Sequence, residues 1–175
     1  MTGLSSVAAH VARRVDRLKV ETPVETLRAR PLYARVARDL APALALGARL
    51  VEVRFAEPGT GLLVIRATAE EAARRASDAE REGAAAAAIW VERNFHAGDY
   101  SHLEAAREFC PDFLLIARDV VIDAWQIERC RAAGADAVEL IPDVLGPALA
   151  GTASAVRALG LTPVIFGPGL AIRAA

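Results

Sequence analysis

Residues 85–141 contain a strand, a turn and a helix twice in succession, and this alternation constrains the fold more than any other feature of the chain. Each unit begins with a short apolar run and continues, after a turn, into a segment whose apolar side chains have helical spacing. The apolar runs are Ala86–Val91, Phe113–Ala117 and Ala137–Ile141, and the helices between them open near Ser101 and Asp123. Strands that alternate with helices of this length form right-handed βαβ units on a parallel sheet.

The same pattern extends beyond these residues in both directions. Arg49–Phe55 reads as an earlier strand and Pro163–Phe166 as a later one, each separated from its neighbour by a helical segment. The sequence therefore predicts an α/β fold: a partial TIM-type (β/α) barrel of about five parallel strands, in the order 1-2-3-4-5, with flanking helices. A complete barrel has eight strands and roughly 250 residues. A flat open sheet with a rearranged strand order is the alternative.

The first 47 residues differ from the rest because they have helical patterns and no strand pattern. One helix is predicted from Ser5 to about Lys19. It is followed by Thr22-Pro23-Val24-Glu25, which has the residue types of a capping box at the start of a second helix. We interpret residues 1–47 as an N-terminal helical extension packed on a partial barrel formed by residues 48–175, within a single domain overall.

Composition argues against several classes of protein. The formal net charge is −1, with acidic and basic residues interspersed, which does not fit a nucleic-acid-binding surface. No apolar run reaches the roughly 18–20 residues of a membrane helix, and the N-terminus lacks the apolar segment of a secretory signal, so we expect a cytoplasmic protein. Cys110 and Cys130 have no metal-ligand spacing, and no metal or cofactor is predicted.

Three segments have a sequence close to that of a known enzyme family. They are Glu92–Gly98 (ERNFHAG), Asp119–Ile127 (DVVIDAWQI) and Arg131–Asp136 (RAAGAD). Together they resemble indole-3-glycerol phosphate synthase, the tryptophan-pathway lyase that closes the indole ring by decarboxylation and dehydration. The likeness runs from the N-terminal helices to about Val164 and corresponds to the first two-thirds of a family member. It implies a (β/α) barrel with its active site at the carboxyl ends of the strands.

Arginine stands at the two positions where the resemblance implies catalytic lysines. These are Arg54 in the first strand and Arg118 at the end of the third, while Lys19 is the only lysine in the sequence. Phe166 stands where the resemblance implies a catalytic glutamate, and the family's phosphate loops have no counterpart in these 175 residues. A general acid must release a proton near neutral pH, and arginine, with a pKa above about 12, does not. Ordinary ring-closing activity is therefore not expected of this chain alone.

Strand alternation gathers charged side chains at the expected mouth of the barrel. Glu52 and Arg54 share one side of the first strand, and Arg118 and Glu139 face the same way on the third and fourth. We take Glu52 and Arg118 as candidate catalytic residues. The candidate ligand-binding residues are Arg54, Glu139, Asn94 and His96. Two interpretations stay open: Glu139 and Arg118 pair and neutralise each other, or the cluster is a rebuilt polar pocket.

The other histidines and the tryptophans have simpler interpretations. His96 lies in a predicted loop, where barrel enzymes place functional groups, although a turn or surface histidine is the simpler reading. His10 and His102 are interpreted as solvated helix residues. Trp90 and Trp125 are interpreted as packing anchors.

Three functions are compatible with these observations. The first is a divergent synthase-like protein that binds a small anionic or aromatic ligand, similar to an indole acid or anthranilate, with altered or no lyase chemistry. The second is a non-catalytic scaffold that completes its barrel as a homodimer or with a partner chain, since exposed sheet edges invite association. The third is a working synthase of tryptophan biosynthesis. Unpaired arginines at the mouth would favour ligand binding, whereas mutual pairing would favour a scaffold.

Overall fold

A computed structural model describes residues 4–45, 47–64, 66–166 and 172–174. The helices are α1 (Leu4–Glu21), α2 (Val24–Arg28), α3 (Ala41–Ala45), α4 (Ala69–Arg81), α5 (Arg93–His96), α6 (Tyr100–Phe109), α7 (Ala124–Ala132), α8 (Pro142–Leu145) and α9 (Leu149–Ala158). The strands are β1 (Leu50–Val53), β2 (Ala56–Glu57), β3 (Gly61–Leu62), β4 (Ala86–Trp90), β5 (Leu114–Arg118), β6 (Ala137–Glu139), β7 (Thr162–Val164) and β8 (Ile172–Ala174). Short 3₁₀ turns cover Pro31–Ala34 and Gly146–Ala148. No helix in the described part of the chain is long and apolar enough to cross a membrane.

Six strands form one parallel sheet in the order β7-β6-β5-β4-β1-β8. Strands β1, β4, β5, β6 and β7 lie side by side in chain order, which confirms the predicted α/β fold of a partial TIM-type barrel. The sixth strand was not predicted: β8 pairs with β1, with Leu50 opposite Ile172. A two-stranded antiparallel hairpin of β2 and β3, after the first strand, was also missed.

Alternate residues of the strands form two separate apolar layers. The inner layer is fully buried and rich in small side chains; it contains Leu50, Ala86, Ala88, Ile116, Ala137 and Val164, with Leu40 packed against it. The outer layer packs against the helices and includes Val51, Val53, Ala87, Ile89, Leu115 and Ala117. Burial on both faces explains why these strands read as continuous apolar runs rather than as alternating ones.

Helix starts are fixed mainly by side-chain caps. Thr68 accepts a bond from the Glu71 N–H at 3.2 Å, and Asp99 accepts one from the Ser101 N–H at 2.9 Å, so α6 begins one residue before the predicted Ser101. Asp123 caps α7 as predicted and forms a complete capping box with Gln126. The capping box predicted at Thr22 is wrong, because Pro23 is the N-cap residue of α2 and no side chain caps that helix.

The N-terminal segment is held to the sheet and its helices by ion pairs. Arg28 contacts Glu128 at 2.5 Å, and Arg35 contacts the fully buried Asp136 at 2.5 Å. Asp136 also accepts bonds from the side chain of Arg107 at 2.5 Å and from the Leu115 N–H at 3.0 Å. The buried carboxylate at the amino end of the sheet thus ties β5, β6, α6 and the N-terminal segment together. The division at residue 47 stays a prediction.

Candidate functional site

The last inward-facing residues of the strands meet at the carboxyl edge of the sheet. Register places Trp90 of β4 beside Arg118 of β5, and Glu52 and Glu139 lie on β1 and β6. We call the following six residues the carboxyl-edge cluster: Glu52, Arg54, Trp90, Arg118, Glu139 and Phe166. These positions continue the inner apolar layer, because alternate side chains of each strand point to the same face. The charged side chains therefore lie together at the carboxyl edge of the sheet.

Arg118 is the centre of the cluster. Its Nε and Nη2 donate to the two oxygens of Glu139 at 2.7 and 2.9 Å, a bidentate arrangement. Its Nη1 donates to Oε1 of Glu52. Only 13% of the Arg118 side chain is exposed. All three of its terminal nitrogens are therefore engaged with carboxylates, and this geometry matches the first of the two predicted alternatives, in which Arg118 and Glu139 neutralise each other.

Aromatic rings enclose the same guanidinium. The Arg118 guanidinium carbon lies 4.4 Å from the centroid of the Trp90 ring and 4.9 Å from that of Phe166. His96 stacks on Trp90 with centroids 3.5 Å apart and planes 5° from parallel. A ring at 3.5 Å fills one face of the indole, so the guanidinium contacts the other face. These contacts favour a cation at this position.

Glu52 accepts hydrogen bonds from the ends of two neighbouring strands and lies near a third donor. It accepts a bond from Trp90 Nε1 at 2.6 Å in addition to the bond from Arg118, and Arg54 Nε lies 3.6 Å from its Oε2. Arg54 also donates to Glu57 at 3.0 Å. Glu52 is 8% exposed, and these donors account for its burial without a catalytic role. Both arginines at the mouth are paired with carboxylates.

His96 lies next to the cluster but is not the predicted loop or surface residue. Residues 93–96 form the short helix α5, and the His96 side chain is 13% exposed. Glu92 accepts bonds from the backbone N–H groups of Asn94 and Phe95 at 2.7 and 2.8 Å and lies 3.2 Å from His96 Nδ1. Burial opposes ionisation of Glu92, yet these bonds hold its pKa below the usual value. Glu92 is thus a charged anchor for the turn that carries His96.

Two residues of interest lie away from the cluster. The side chain of Asn94 is exposed and lines a separate pocket on the other side of α5. Lys19, the only lysine, donates to Asp123 at 2.8 Å, and this hydrogen bond raises its pKa. The lone lysine is therefore held as a cation at the start of α7.

Trp90, Phe166 and Glu92 are parts of this site that sequence reasoning did not assign to it. Trp90 has the same strand parity as Ala86 and Ala88, and Phe166 has that of Val164, so alternation could have placed both rings at the mouth. Glu92 gave no such signal, because its role depends on the turn at α5. Within the residues that the structure describes, no three carboxylate, histidine or cysteine side chains could hold a metal ion together.

The bonding pattern limits the chemistry of the cluster. Both carboxylates are acceptors in charge-assisted bonds, and arginine keeps its proton at any physiological pH. The cluster can bind or orient an anion or an aromatic group and can stabilise negative charge. Proton donation from Arg118 is not among its capabilities.

Comparison with known proteins agrees with this architecture. Residues 4–165 match the sequence model of indole-3-glycerol phosphate synthase. The chain is 34% identical over 170 residues to the indole-3-glycerol phosphate synthase of Salinibacter ruber, covering 94% of this chain and 62% of that protein. It is 32% identical over 148 residues to the synthase of Roseiflexus castenholzii, covering 80% of this chain and 54% of that protein. The chain thus spans a little over half the length of these curated relatives, and it belongs to the indole-3-glycerol phosphate synthase family.

Proposed function

We propose that this chain is a divergent member of the family that does not close the indole ring by itself and instead binds a small aromatic or anionic ligand at the carboxyl edge of its sheet. One observation carries the proposal. Arg118 stands where the resemblance places the proton-donating lysine, and it is held by Glu52 and Glu139 and flanked by Trp90 and Phe166.

The argument against ring closure is one of proton supply. Ring closure by dehydration needs a group that gives up a proton to the departing oxygen. Arg118 does not release its proton, and Lys19 is fixed to Asp123 at the start of α7. Phe166, at the position of the expected glutamate, has neither proton nor charge to offer. The cluster therefore keeps the location of an active site without its acid.

The argument for a ligand rests on Arg54 and Phe166. The Nε of Arg54 is a buried donor without a hydrogen-bond acceptor in the described structure, 3.6 Å from Glu52, and a quarter of the side chain is exposed. A buried unsatisfied donor has a free-energy cost that a ligand carboxylate would relieve. Both faces of Trp90 are occupied, so the half-buried ring of Phe166 supplies the apolar surface for an aromatic ligand ring. An anthranilate-like or indole-acid ligand has both required groups.

Mutual pairing of the charged groups at the mouth favours a second candidate function, a scaffold, because Arg118 bonds to Glu52 and Glu139 and Arg54 bonds to Glu57. A scaffold needs no free cation at the mouth, and mutual neutralisation by Glu52 and Glu139 gives that state. Such a protein would associate as a homodimer or with a partner chain. Light scattering at micromolar concentration tests this candidate: a dimer mass supports it, and a stable monomer counts against a homodimer.

Two measurements on the purified chain test the proposal. Closure of the indole ring in the synthase substrate is followed by absorbance. Binding of anthranilate, an indole acid and a sugar phosphate is followed by calorimetry. We expect no product above background. We expect saturable binding that is abolished both by Arg54→Gln, which removes the unsatisfied donor, and by Arg118→Ala, in variants whose thermal melts show that they are folded. Arg49→Ala is the matched control. Arg49 immediately precedes β1, at the end of the strand away from the carboxyl-edge cluster, and donates to the backbone carbonyl of Glu82. Product formation that depends on Arg118 would instead establish a working synthase, and no binding would leave the scaffold.

A further inference from the structure

A pocket lies between α1, α5, α6 and α7, away from the carboxyl-edge cluster. Its volume is about 610 Å³, which is within the range of small-molecule sites. None of the carboxyl-edge residues lines it. The charged lining consists of five arginines and two carboxylates: Arg14, Arg17, Arg30, Arg93 and Arg129, with Glu21 and Asp99. In a chain with net charge −1, this is a local concentration of positive charge.

Three of these five arginines have ion-pair partners and two do not, since Arg17 lies 3.9 Å from Glu21. Glu104 binds both Arg30 and Arg129, at 2.6 and 2.7 Å. Among the residues that the structure describes, neither Arg14 nor Arg93 has a carboxylate within ion-pair distance. Arg14 is half-buried and has a ring neighbour, with its guanidinium carbon 5.9 Å from the centroid of Tyr100, whereas Arg93 is exposed.

The pairing of arginines elsewhere in the protein makes this pocket unusual. Arg35, Arg107 and Arg118 each bond directly to a buried carboxylate. Like charges facing one cavity repel each other, and for Arg14 and Arg93 that repulsion is offset only through space, by Asp119 and Asp99, without a direct ion pair among the described residues. A bound anion would offset it, because several guanidiniums can donate bidentate bonds to one oxyanion.

We propose that this pocket binds a small phosphorylated molecule, a phosphate monoester or a diphosphate. Arg14 on α1 and Arg93 on α5 donate to the phosphate, and the exposed amide of Asn94 adds a neutral donor on the same wall. A phosphate has more oxygens than a carboxylate with which to accept bonds from several guanidiniums. A nucleic acid would need a longer basic surface than one pocket in a chain of net charge −1.

This inference goes beyond the proposed function, because it concerns a different pocket and different residues. Occupancy would connect the N-terminal helix α1 to α5, the turn that carries His96 next to the carboxyl-edge cluster. The two proposals fail independently. Loss of aromatic-acid binding in Arg118→Ala tests the carboxyl-edge cluster. Loss of phosphate binding in the Arg14 and Arg93 variants tests the pocket between α1, α5, α6 and α7.

The test is calorimetric titration with inorganic phosphate, pyrophosphate and glycerol phosphate, at low and at physiological salt. We expect saturable binding of at least one probe, weakened by salt because the contact is between charges. The double variant Arg14→Gln, Arg93→Gln should bind about tenfold or more weakly, since each charge-assisted bond contributes substantially.

The matched control is Arg13→Gln, which removes one positive charge from an exposed position of the same helix, outside the pocket lining. Thermal melts of all variants establish that each is folded. Absence of saturable binding by the wild-type chain overturns the proposal. Binding that is unchanged in the double variant also overturns it, because the phosphate would then contact other residues. Binding that Arg13→Gln weakens equally overturns it too, because the effect would then come from the overall charge of the chain.

Discussion

Arg118 joins three strands by bonding to Glu52 of β1 and Glu139 of β6 from its own place at the end of β5. Replacement by methionine, which keeps the apolar stem, would leave two buried carboxylates facing each other without a cation. Breaking a buried ion pair in this way costs about 3–5 kcal/mol. We expect Arg118→Met to lower the free energy of unfolding by an amount near that range, as measured by urea denaturation.

The double variant Arg118→Met, Glu139→Leu separates lost charge from lost packing. Removing one of the stranded carboxylates should recover part of the loss, because leucine can pack against the inner layer. Arg49→Met, at the other end of β1, removes an ion pair whose carboxylate partner is two-thirds exposed, and it should cost less than about 1 kcal/mol. Equal losses in Arg49→Met and Arg118→Met would contradict the central role of Arg118.

His102 is buried, and this makes stability depend on pH near neutrality. The side chain is 3% exposed and its ring packs edge-on against Phe55 at 5.0 Å, so the prediction of a solvated histidine is wrong. Burial lowers the pKa of His102 below its usual value. The unfolded chain then binds a proton that the folded chain does not, so stability falls as the pH falls from about 6.5 towards the folded pKa.

The expected slope is at most about 1.4 kcal/mol per pH unit within that window, measured by urea denaturation between pH 7.5 and 5. His102→Gln should flatten the profile there, because the replacement does not titrate. A wild-type profile that is already flat across this window would refute the assignment.

Residue positions in the site were predictable where strand parity decides them and not where tertiary packing does. Parity alone placed Glu52, Arg54, Arg118 and Glu139 on one face, as found. The burial of His102 could not be read from its own helix, because it depends on Phe55, which is distant in sequence and lies beyond the end of β1. Long-range contacts of this kind leave no local pattern.

The turn between β4 and α6 has room for glycine alone at position 98. A Cβ added to Gly98 would lie 2.7 Å from the carbonyl carbon of Trp90 and 2.8 Å from the carbonyl oxygen of Glu92, both of them backbone atoms that cannot give way. We expect Gly98→Ala to lower the free energy of unfolding by about 2 kcal/mol or more and to disturb the stacking of His96 on Trp90. Tryptophan fluorescence and urea denaturation report the two effects.

Gly151 is the matched position, since nothing lies within 4 Å of a Cβ added there and the residue is inside helix α9. Alanine has a higher helix propensity than glycine, so Gly151→Ala should stabilise the protein by up to about 1 kcal/mol. Destabilisation by both substitutions to a similar degree would show that the close approach at Gly98 is not the cause.

Elements were predictable where the sequence marks both of their ends. Capping residues and glycines bounded α4 and α7, and β-branched or apolar runs marked the five strands of the predicted sheet. The hairpin of β2 and β3 has only two residues in each strand, too few for a periodic signal. The capping box predicted at Thr22 does not form, because the backbone of Thr22 is engaged elsewhere. The Thr22 N–H donates to the Leu18 carbonyl at the end of α1, and the Thr22 carbonyl accepts a bond from the Trp125 Nε1–H. Gly167-Pro168-Gly169, whose composition is typical of a turn, lies outside the described residues.

At the scale of the whole molecule, β8 changes the expected exposure of the sheet. The prediction of about five strands left both β1 and the fifth strand as open edges that a homodimer would cover. Backbone pairing of β8 with β1 gives the first of these edges a partner within the chain. On the other side, β7 contains Pro163, which has no N–H to donate to a further strand. The homodimer stays a prediction, and edge pairing is no longer its strongest reason.

The N-terminal helices and the partial barrel should unfold together, because the contacts between them involve buried groups. Trp125 donates its Nε1–H to the Thr22 carbonyl at 2.8 Å, and Arg35 reaches the buried Asp136. Trp125 therefore reports the docking of α1 and α2, whereas Trp90 reports the carboxyl edge of the sheet. In the single-tryptophan variants Trp90→Phe and Trp125→Phe, we expect the fluorescence transition in urea to coincide with the far-UV circular dichroism transition of the same variant.

Coincident transitions are the signature of two-state unfolding in a chain of this size. If the extension were an independent unit, Trp125 fluorescence would change at lower urea concentration than the dichroism, while Trp90 fluorescence would still follow it. Asp136→Asn supplies the matched perturbation, since it weakens the bonds from Arg35 and Arg107 at once. In one cooperative unit it lowers both midpoints equally. In two units the two midpoints would shift by different amounts, because the bond from Arg35 joins the N-terminal segment to the sheet and the bond from Arg107 lies within the barrel.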